Sequence, residues 1–109
     1  MSSHYQIRVE EIDESSGVVL RVGFGLVPAN NDVIVPEVDL LMLELKSSGR
    51  LPGGELIKIN GPSSLPVMAV LIHHLVHLYN AVAIYDPKMS QYVVVSSHAG
   101  RLKLGSTLD

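Results

Sequence analysis

The chain has 109 residues, 47% of them apolar and 17% charged, with a formal charge of −3 and no cysteine. One hydrophobic core fits in that length and a second does not, so a single domain over residues 1–109 is expected, and any deep site calls for a second subunit. The negative charge argues against a domain that grips long duplex nucleic acid by bulk electrostatics, and the missing cysteines exclude disulfides, thiolate zinc sites and a cysteine nucleophile.

The apolar excess is high for so small a domain, where surface is plentiful relative to volume, and it points to an interface between copies of the chain, a homodimer at least. Met1-Ser2-Ser3-His4-Tyr5 lacks a basic stretch followed by an apolar run, so no signal peptide is expected, and the absence of cysteine suits a cytoplasmic protein. The longest apolar stretch, Leu65 to Tyr79, is short for a bilayer and is broken by three histidines, which predicts a core helix and no membrane span.

Along the chain, Tyr5 to Val9 alternate polar and apolar, Val18 to Phe24 are rich in β-branched residues, and Asp13-Glu14-Ser15-Ser16-Gly17 supplies a turn between them, so an antiparallel hairpin is predicted. Past the loop around Pro28-Ala29-Asn30-Asn31-Asp32, Val38, Leu41, Met42 and Leu45 fall at helical spacing, predicting a helix from Pro36 to Leu45 that Ser47-Ser48-Gly49 stops. Leu56 to Asn60 reads as a short strand running into Gly61-Pro62-Ser63-Ser64, and Pro66 opens a helix to about Tyr79 with Ser64 or Leu65 as N-cap. This helix is apolar on nearly every side, so burial by the sheet on one face and by a partner on another is expected. Ala81 to Tyr85 and Tyr92 to Ser96 are strands joined by the turn Asp86-Pro87-Lys88-Met89-Ser90. The order is β-β-α-β-α-β-β. Its third strand, second helix and fourth strand form a crossover, so those two strands should be parallel, and the serine loop and Asp86 leave the same carboxyl edge of the sheet, where ligands of such units sit.

Gly61-Pro62-Ser63-Ser64 has the makings of a phosphate cradle: the glycine admits close backbone approach, the serines donate hydroxyls, and the helix N-terminus offers unpaired N–H groups. The same residues also suit an ordinary N-cap. His73 and His77 are spaced i,i+4, and His74 and His77 i,i+3, on the predicted helix; either pair could hold a divalent metal or supply an acid or base, and burial in a core or interface is the other reading. His98 closes the last strand and could join them, while His4 lies near a terminus and is expected to be inert. Asp86, fixed before Pro87, suits either a solvated turn or a carboxylate for a metal or a proton, with Lys88 two residues on to hold a phosphate. Lengths then separate the candidates. The helix rises roughly 20 Å and the following strand runs back roughly 17 Å, leaving Asp86 at one end and His77, with His98, at the other. If both ends act on one substrate, two facing subunits must complete the site; otherwise the ends serve separate purposes.

Gly61-Pro62-Ser63, His74 and His77, the run from Ala81 to Lys88, and Val93-Val94-Val95-Ser96-Ser97-His98 together resemble the Csx-three family, the small ring nucleases of type III CRISPR systems. The likeness covers the C-terminal half well and agrees with the N-terminal elements in order and length. It implies an α+β, ferredoxin-like domain whose mixed sheet is covered by two helices. It further implies a dimer that binds cyclic tetra-adenylate, within a ligand-bridged tetramer, and cuts it as a manganese-dependent phosphodiesterase, an off-switch for antiviral signalling. Some members are described as exonucleases acting on RNA 3′ ends, which makes short RNA the alternative substrate. By match of position, the catalytic pair would be His77 and Asp86, and manganese would be held by His77 and Asp86 with His74 and His98. Gly61, Ser63, Ser64 and Lys88 would hold the ligand. Two departures stand out: lysine at position 88 replaces the family's arginine, turning a forked phosphate grip into a point charge, and the loop before the helix lacks an arginine that Arg50 would have to supply from elsewhere. A non-catalytic cyclic-nucleotide sensor or scaffold, and a structural oligomer with histidines at its interface, are the rival readings. Whether a 2′-hydroxyl or water attacks is open at this point.

Overall fold

The computed structural model describes residues 4–13, 17–100 and 102–109. Strands β1 (Tyr5–Asp13) and β2 (Gly17–Phe24) form the expected antiparallel hairpin, with Tyr5 opposite Phe24 and Asp13 opposite Gly17. Three residues of its turn, Glu14, Ser15 and Ser16, lie outside the described residues. Because strand side chains alternate, Tyr5, Ile7 and Val9 face the core while Gln6, Arg8 and Glu10 face away from it.

Helix α1 (Asn31–Ser47) starts well before Pro36, the predicted first residue. Asn30 is the N-cap in extended backbone, and its carbonyl accepts from the N–H groups of Val33 and Ile34. Pro36 therefore sits in the second turn, where it removes the bond that the Asp32 carbonyl would accept. Both residues are exposed, so water can serve that carbonyl. The earlier start is favoured because it adds Ile34 to the buried stripe of Val38 and Met42, each side chain contributing about 1.5–3 kcal/mol when fully buried.

Strand β3 (Gly54–Asn60) leads to α2 (Leu65–Leu75), followed by β4 (Tyr79–Asp86) and β5 (Gln91–Ser97). As predicted, β3 and β4 are parallel; β2 and β3 are parallel as well, with α1 in the connection between them. The second helix is shorter than expected. It ends at Leu75 with Val76 as cap, because Tyr79 and Asn80 are drawn into the sheet: Tyr79 pairs with Gly54, and the Gly54 N–H donates to the Leu78 carbonyl. Gly53 permits that approach, since a Cβ there would sit 2.7 Å from the Leu78 oxygen. A 3-10 turn (His98–Gly100) and β6 (Thr107–Leu108), antiparallel to β5, complete the chain and were not foreseen.

The result is an α+β domain with one mixed sheet in the order β1-β2-β3-β4-β5-β6. Both helices cover one face, where Val38, Met42, Leu71 and Leu75 pack on Leu20, Ile57, Ile59 and Val82. The other face carries a smaller cluster of Ala83, Tyr92 and Val94, covered by Leu102 and Leu108 of the C-terminal segment. No helix among the described residues is long and apolar enough to cross a membrane.

Candidate functional site

Strands β2, β3 and β4 run in the same direction, so Phe24, Asn60 and Asp86 end on one edge of the sheet, and both helices begin there. Two helix N-termini, each with a partial positive charge, thus lie side by side. A hydrogen bond of 2.9 Å from Ser64 Oγ to Asn31 Oδ1 ties them together. Of the two predicted caps, Ser64 and Leu65, Ser64 is the N-cap of α2 and accepts from the Val67 N–H at 3.3 Å. Ser63 Oγ donates to the Ser64 carbonyl at 2.9 Å, so both serine hydroxyls have internal partners that a ligand would have to replace.

Gly61 is obligatory, and its reason is the neighbouring strand: at φ 136° a Cβ would fall 1.8 Å from the Val22 carbonyl oxygen. The loop is further pinned by Tyr5, whose hydroxyl donates to the Pro62 carbonyl at 2.8 Å. His4, expected to be inert, fastens the start of the chain to this edge, with Nδ1 donating to the Val27 carbonyl and its main-chain N–H, like that of Tyr5, reaching Glu37. Asp86 caps its own turn, Oδ1 accepting from the N–H groups of Lys88 (2.9 Å) and Met89 (3.4 Å). Lys88 is exposed and makes no ion pair among the described residues.

The histidines gather at the other end of β4. His73 and His74 lie on the last turn of α2, but His77 lies beyond it, a correction to the expected three-histidine helix that follows from the early stop at Leu75. The turn still brings the rings together: His73 is edge-on to His77 at 5.2 Å and to His74 at 5.9 Å between centroids. His74 is 5% exposed, and its Nε2 lies 2.6 Å from Asp39 Oδ1 on α1. Its place is between the helices, while His77 and His98 are exposed at the rim. His98 Nε2 lies 2.7 Å from the Val76 carbonyl. A carbonyl only accepts, so Nε2 carries a proton, and in the neutral ring the lone pair is on Nδ1.

Between Tyr79 and Asp86 the strand spans roughly 23 Å, so the two groups of candidates are separated within one chain, as their spacing predicted. Arg50 does not supply the missing loop arginine. It follows the C-terminus of α1, whose N-terminus meets Ser64, and a helix of this length spans roughly 25 Å.

Three polar residues escaped the sequence reading. Asp39 holds His74; Lys58 is 7% exposed, with Nζ donating to the Asp109 main-chain oxygen at 2.6 Å and lying 5.2 Å from the centre of the Tyr92 ring; and Asn60 donates to the Tyr92 hydroxyl at 3.0 Å. Alternation around Ile57 and Ile59 signals that Lys58 and Asn60 share the face without helices, but their partners come from β5 and the C-terminal segment, which no local pattern reveals.

This is an α+β domain with its polar chemistry divided along one strand, a serine loop, Asp86 and Lys88 at the carboxyl edge and imidazoles at the opposite end. The chain belongs to the CRISPR-associated protein family Cas_csx3, whose family model matches residues 29–109. No curated protein matches it significantly.

Proposed function

We propose that the chain binds cyclic tetra-adenylate and cuts a phosphodiester bond of the ring, ending an antiviral signal, at a site completed by two facing protomers. The observation that carries this reading is the division between the two ends of β4 in a member of a CRISPR-associated family: serine hydroxyls, helix N–H groups, Asp86 and Lys88 at one end and imidazoles at the other. A ring whose phosphates lie on its perimeter, held between the carboxyl edge of one protomer and the histidine end of another, meets both sets at once. The assembly would then be a dimer, or a tetramer bridged by its ligand.

Among the described residues of one chain, no three His, Asp or Glu side chains form a metal-binding group. Combined across protomers, the imidazole nitrogens of His77 and His98 and the Asp86 carboxylate are the nitrogen and oxygen donors that manganese accepts. Manganese bound there would polarise the phosphodiester as a Lewis acid. Ser63, Ser64 and the N-terminal N–H groups of α2 would receive non-bridging oxygens, and Lys88 would offset their charge. If His77 is not taken up by the metal, its exposed ring, edge-on to His73, would instead exchange a proton with the reacting oxygen. His74, buried against Asp39, orients the helix that leads to His77.

Incubating the purified protein with cyclic tetra-adenylate, with and without manganese, tests the reading. Manganese-dependent cleavage that drops by about a hundredfold or more in His77→Ala is expected. An intact ring, or no difference between that variant and wild type, would sink the enzyme. A non-catalytic sensor is the second reading, favoured by the commitment of Asp86 Oδ1 to its own turn and by lysine at position 88. Ring binding without turnover would establish it.

A further inference from the structure

The sheet ends on one side at β6, two residues long, and on the other at β1, nine residues long. The ladder with β2 fixes which main-chain groups of β1 point outward. The Gly25 N–H donates to the His4 carbonyl, so by alternation Gln6 with Gly23, Arg8 with Arg21 and Glu10 with Val19 are the hydrogen-bonded pairs. The N–H and C=O groups of the residues between them therefore face away from β2. Tyr5 follows this phase, its N–H reaching Glu37. For Ile7, Val9 and Glu11, no bond from those outward groups is found among the described residues. Exposed edges are usually blunted by proline, lysine, a bulge or a covering element. Strand β1 has neither proline nor lysine, and its bulge comes only after Glu11, so residues 7–11 form an open edge.

The charges on this edge are of both signs. Arg8 and Glu10 share the helix-free face, and Arg8 stands opposite Arg21. One Glu10 oxygen lies 3.5 Å from both Arg8 Nη2 and Arg21 Nε, so a single carboxylate serves two guanidiniums. The Arg8 side chain is 73% exposed, and most of its five donors remain for a second carboxylate.

We propose that β1 pairs with β1 of a second copy of the chain, antiparallel about a two-fold axis at Val9, so that two sheets become one. That register sets each Arg8 opposite the partner's Glu10 and forms up to about six main-chain bonds from Ile7, Val9 and Glu11. The neighbouring registers are disfavoured, because an axis at Arg8 opposes two arginines and an axis at Glu10 two glutamates. On the helix side, the partner's Glu11 comes opposite Ile7. Ile7 lines a groove of about 260 Å³ with Leu41, Glu44, Leu45 and Arg50, and Arg50 makes no ion pair among the described residues. The partner's Glu11 thus brings a carboxylate to the side of Arg50. A two-fold axis normal to the sheet keeps both pairs of helices on one face and lays the carboxyl edge of one protomer beside the histidine end of its partner. The seam involves none of Ser63, His77, Asp86 and Lys88, so it stands whether or not the chain cuts a ring.

The experiment is sedimentation of the full chain over a concentration series, for wild type, Arg8→Glu, Glu10→Arg, the variant carrying both changes, and an equimolar mixture of the two single variants, with circular dichroism to show that each folds. Each single variant opposes like charges across the seam and is expected to dissociate at least about tenfold more readily. The doubly changed chain and the mixture should both recover, since every arginine again meets a glutamate. Val9→Pro removes an outward N–H without touching the ladder to β2 and should give a folded monomer. In wild type, the amides of Ile7, Val9 and Glu11 should gain protection from exchange as concentration rises, a reading that decides the matter even where a variant fails to fold. A wild type that stays monomeric, single variants that associate as tightly as wild type, or a dimer whose Ile7 and Val9 amides exchange freely would each overturn the proposal. Ring cleavage is read in a separate assay, so loss of the proposed enzyme leaves the seam standing, and a dimer joined elsewhere leaves the enzyme standing.

Discussion

Gly61 and two buried phenols show how much a single residue decides in this chain. Gly61→Ala would place a methyl group against the Val22 carbonyl at a backbone angle that side chains rarely adopt, so a loss upwards of about 3 kcal/mol is expected, read by denaturant unfolding. Tyr5 and Tyr79 are both raised above the ordinary tyrosine value of 10.0, chiefly by burial. Opposing this, a hydrogen bond with Ser63 lowers Tyr5 and the nearby Gly53 main chain lowers Tyr79. The fold therefore favours the protonated phenol. That contribution is complete below pH 10 and is lost as pH rises through the raised values, so stability should decline on the alkaline side and less steeply in the phenylalanine variants. At neutral pH the two should differ: Tyr5→Phe loses the bond to Pro62, about 1 kcal/mol, whereas Tyr79→Phe removes a buried hydroxyl without a well-formed partner and should be neutral or stabilising.

Between elements, the His74–Asp39 pair joins α2 to α1, and the Lys58–Asp109 bond fastens the C-terminal segment to the sheet. His74→Ala should cost about 2 kcal/mol, since a buried imidazole and its bond to a carboxylate both go. Asp39→Asn keeps an acceptor oxygen and should cost less than about 1 kcal/mol; thermal melts distinguish the two, at roughly 4–8 °C per kcal/mol for a domain of this size. Lys58→Met keeps the packing of the stem and removes a buried charge, so the melting temperature should hold or rise. Faster amide exchange at Thr107 and Leu108 should accompany it, and unchanged exchange there would show that the lysine does not anchor β6. The two misjudged helix boundaries belong to this scale as well. Pro36 looked like a start because proline favours the first turn, yet burying Ile34 outweighed the bond it removes. Tyr79 looked helical because its neighbours are apolar, yet pairing with Gly54 took it into the sheet.

For the whole molecule, the proposed division of the site between protomers would have a consequence that no site within one chain shares. His77→Ala and Asp86→Ala, each inactive alone, should recover part of the ring-cutting activity when mixed, because some facing pairs then bring an intact His77 to an intact Asp86. A mixture as inactive as its parts would place both residues in one protomer's site and contradict the roughly 23 Å along β4 that separates them.

Much of this was written in the sequence. Alternation and helical spacing fixed the order of the seven main elements, Ser64 declared its cap, and lengths alone put Asp86 and His77 at opposite ends, because rise per residue is nearly constant in helix and strand. The burial of His74 against Asp39, the covering of Lys58, and the meeting of Arg8 with Arg21 were decided only by the tertiary structure. Each depends on which residues of distant segments stand opposite one another, and that register is set by packing across the whole sheet.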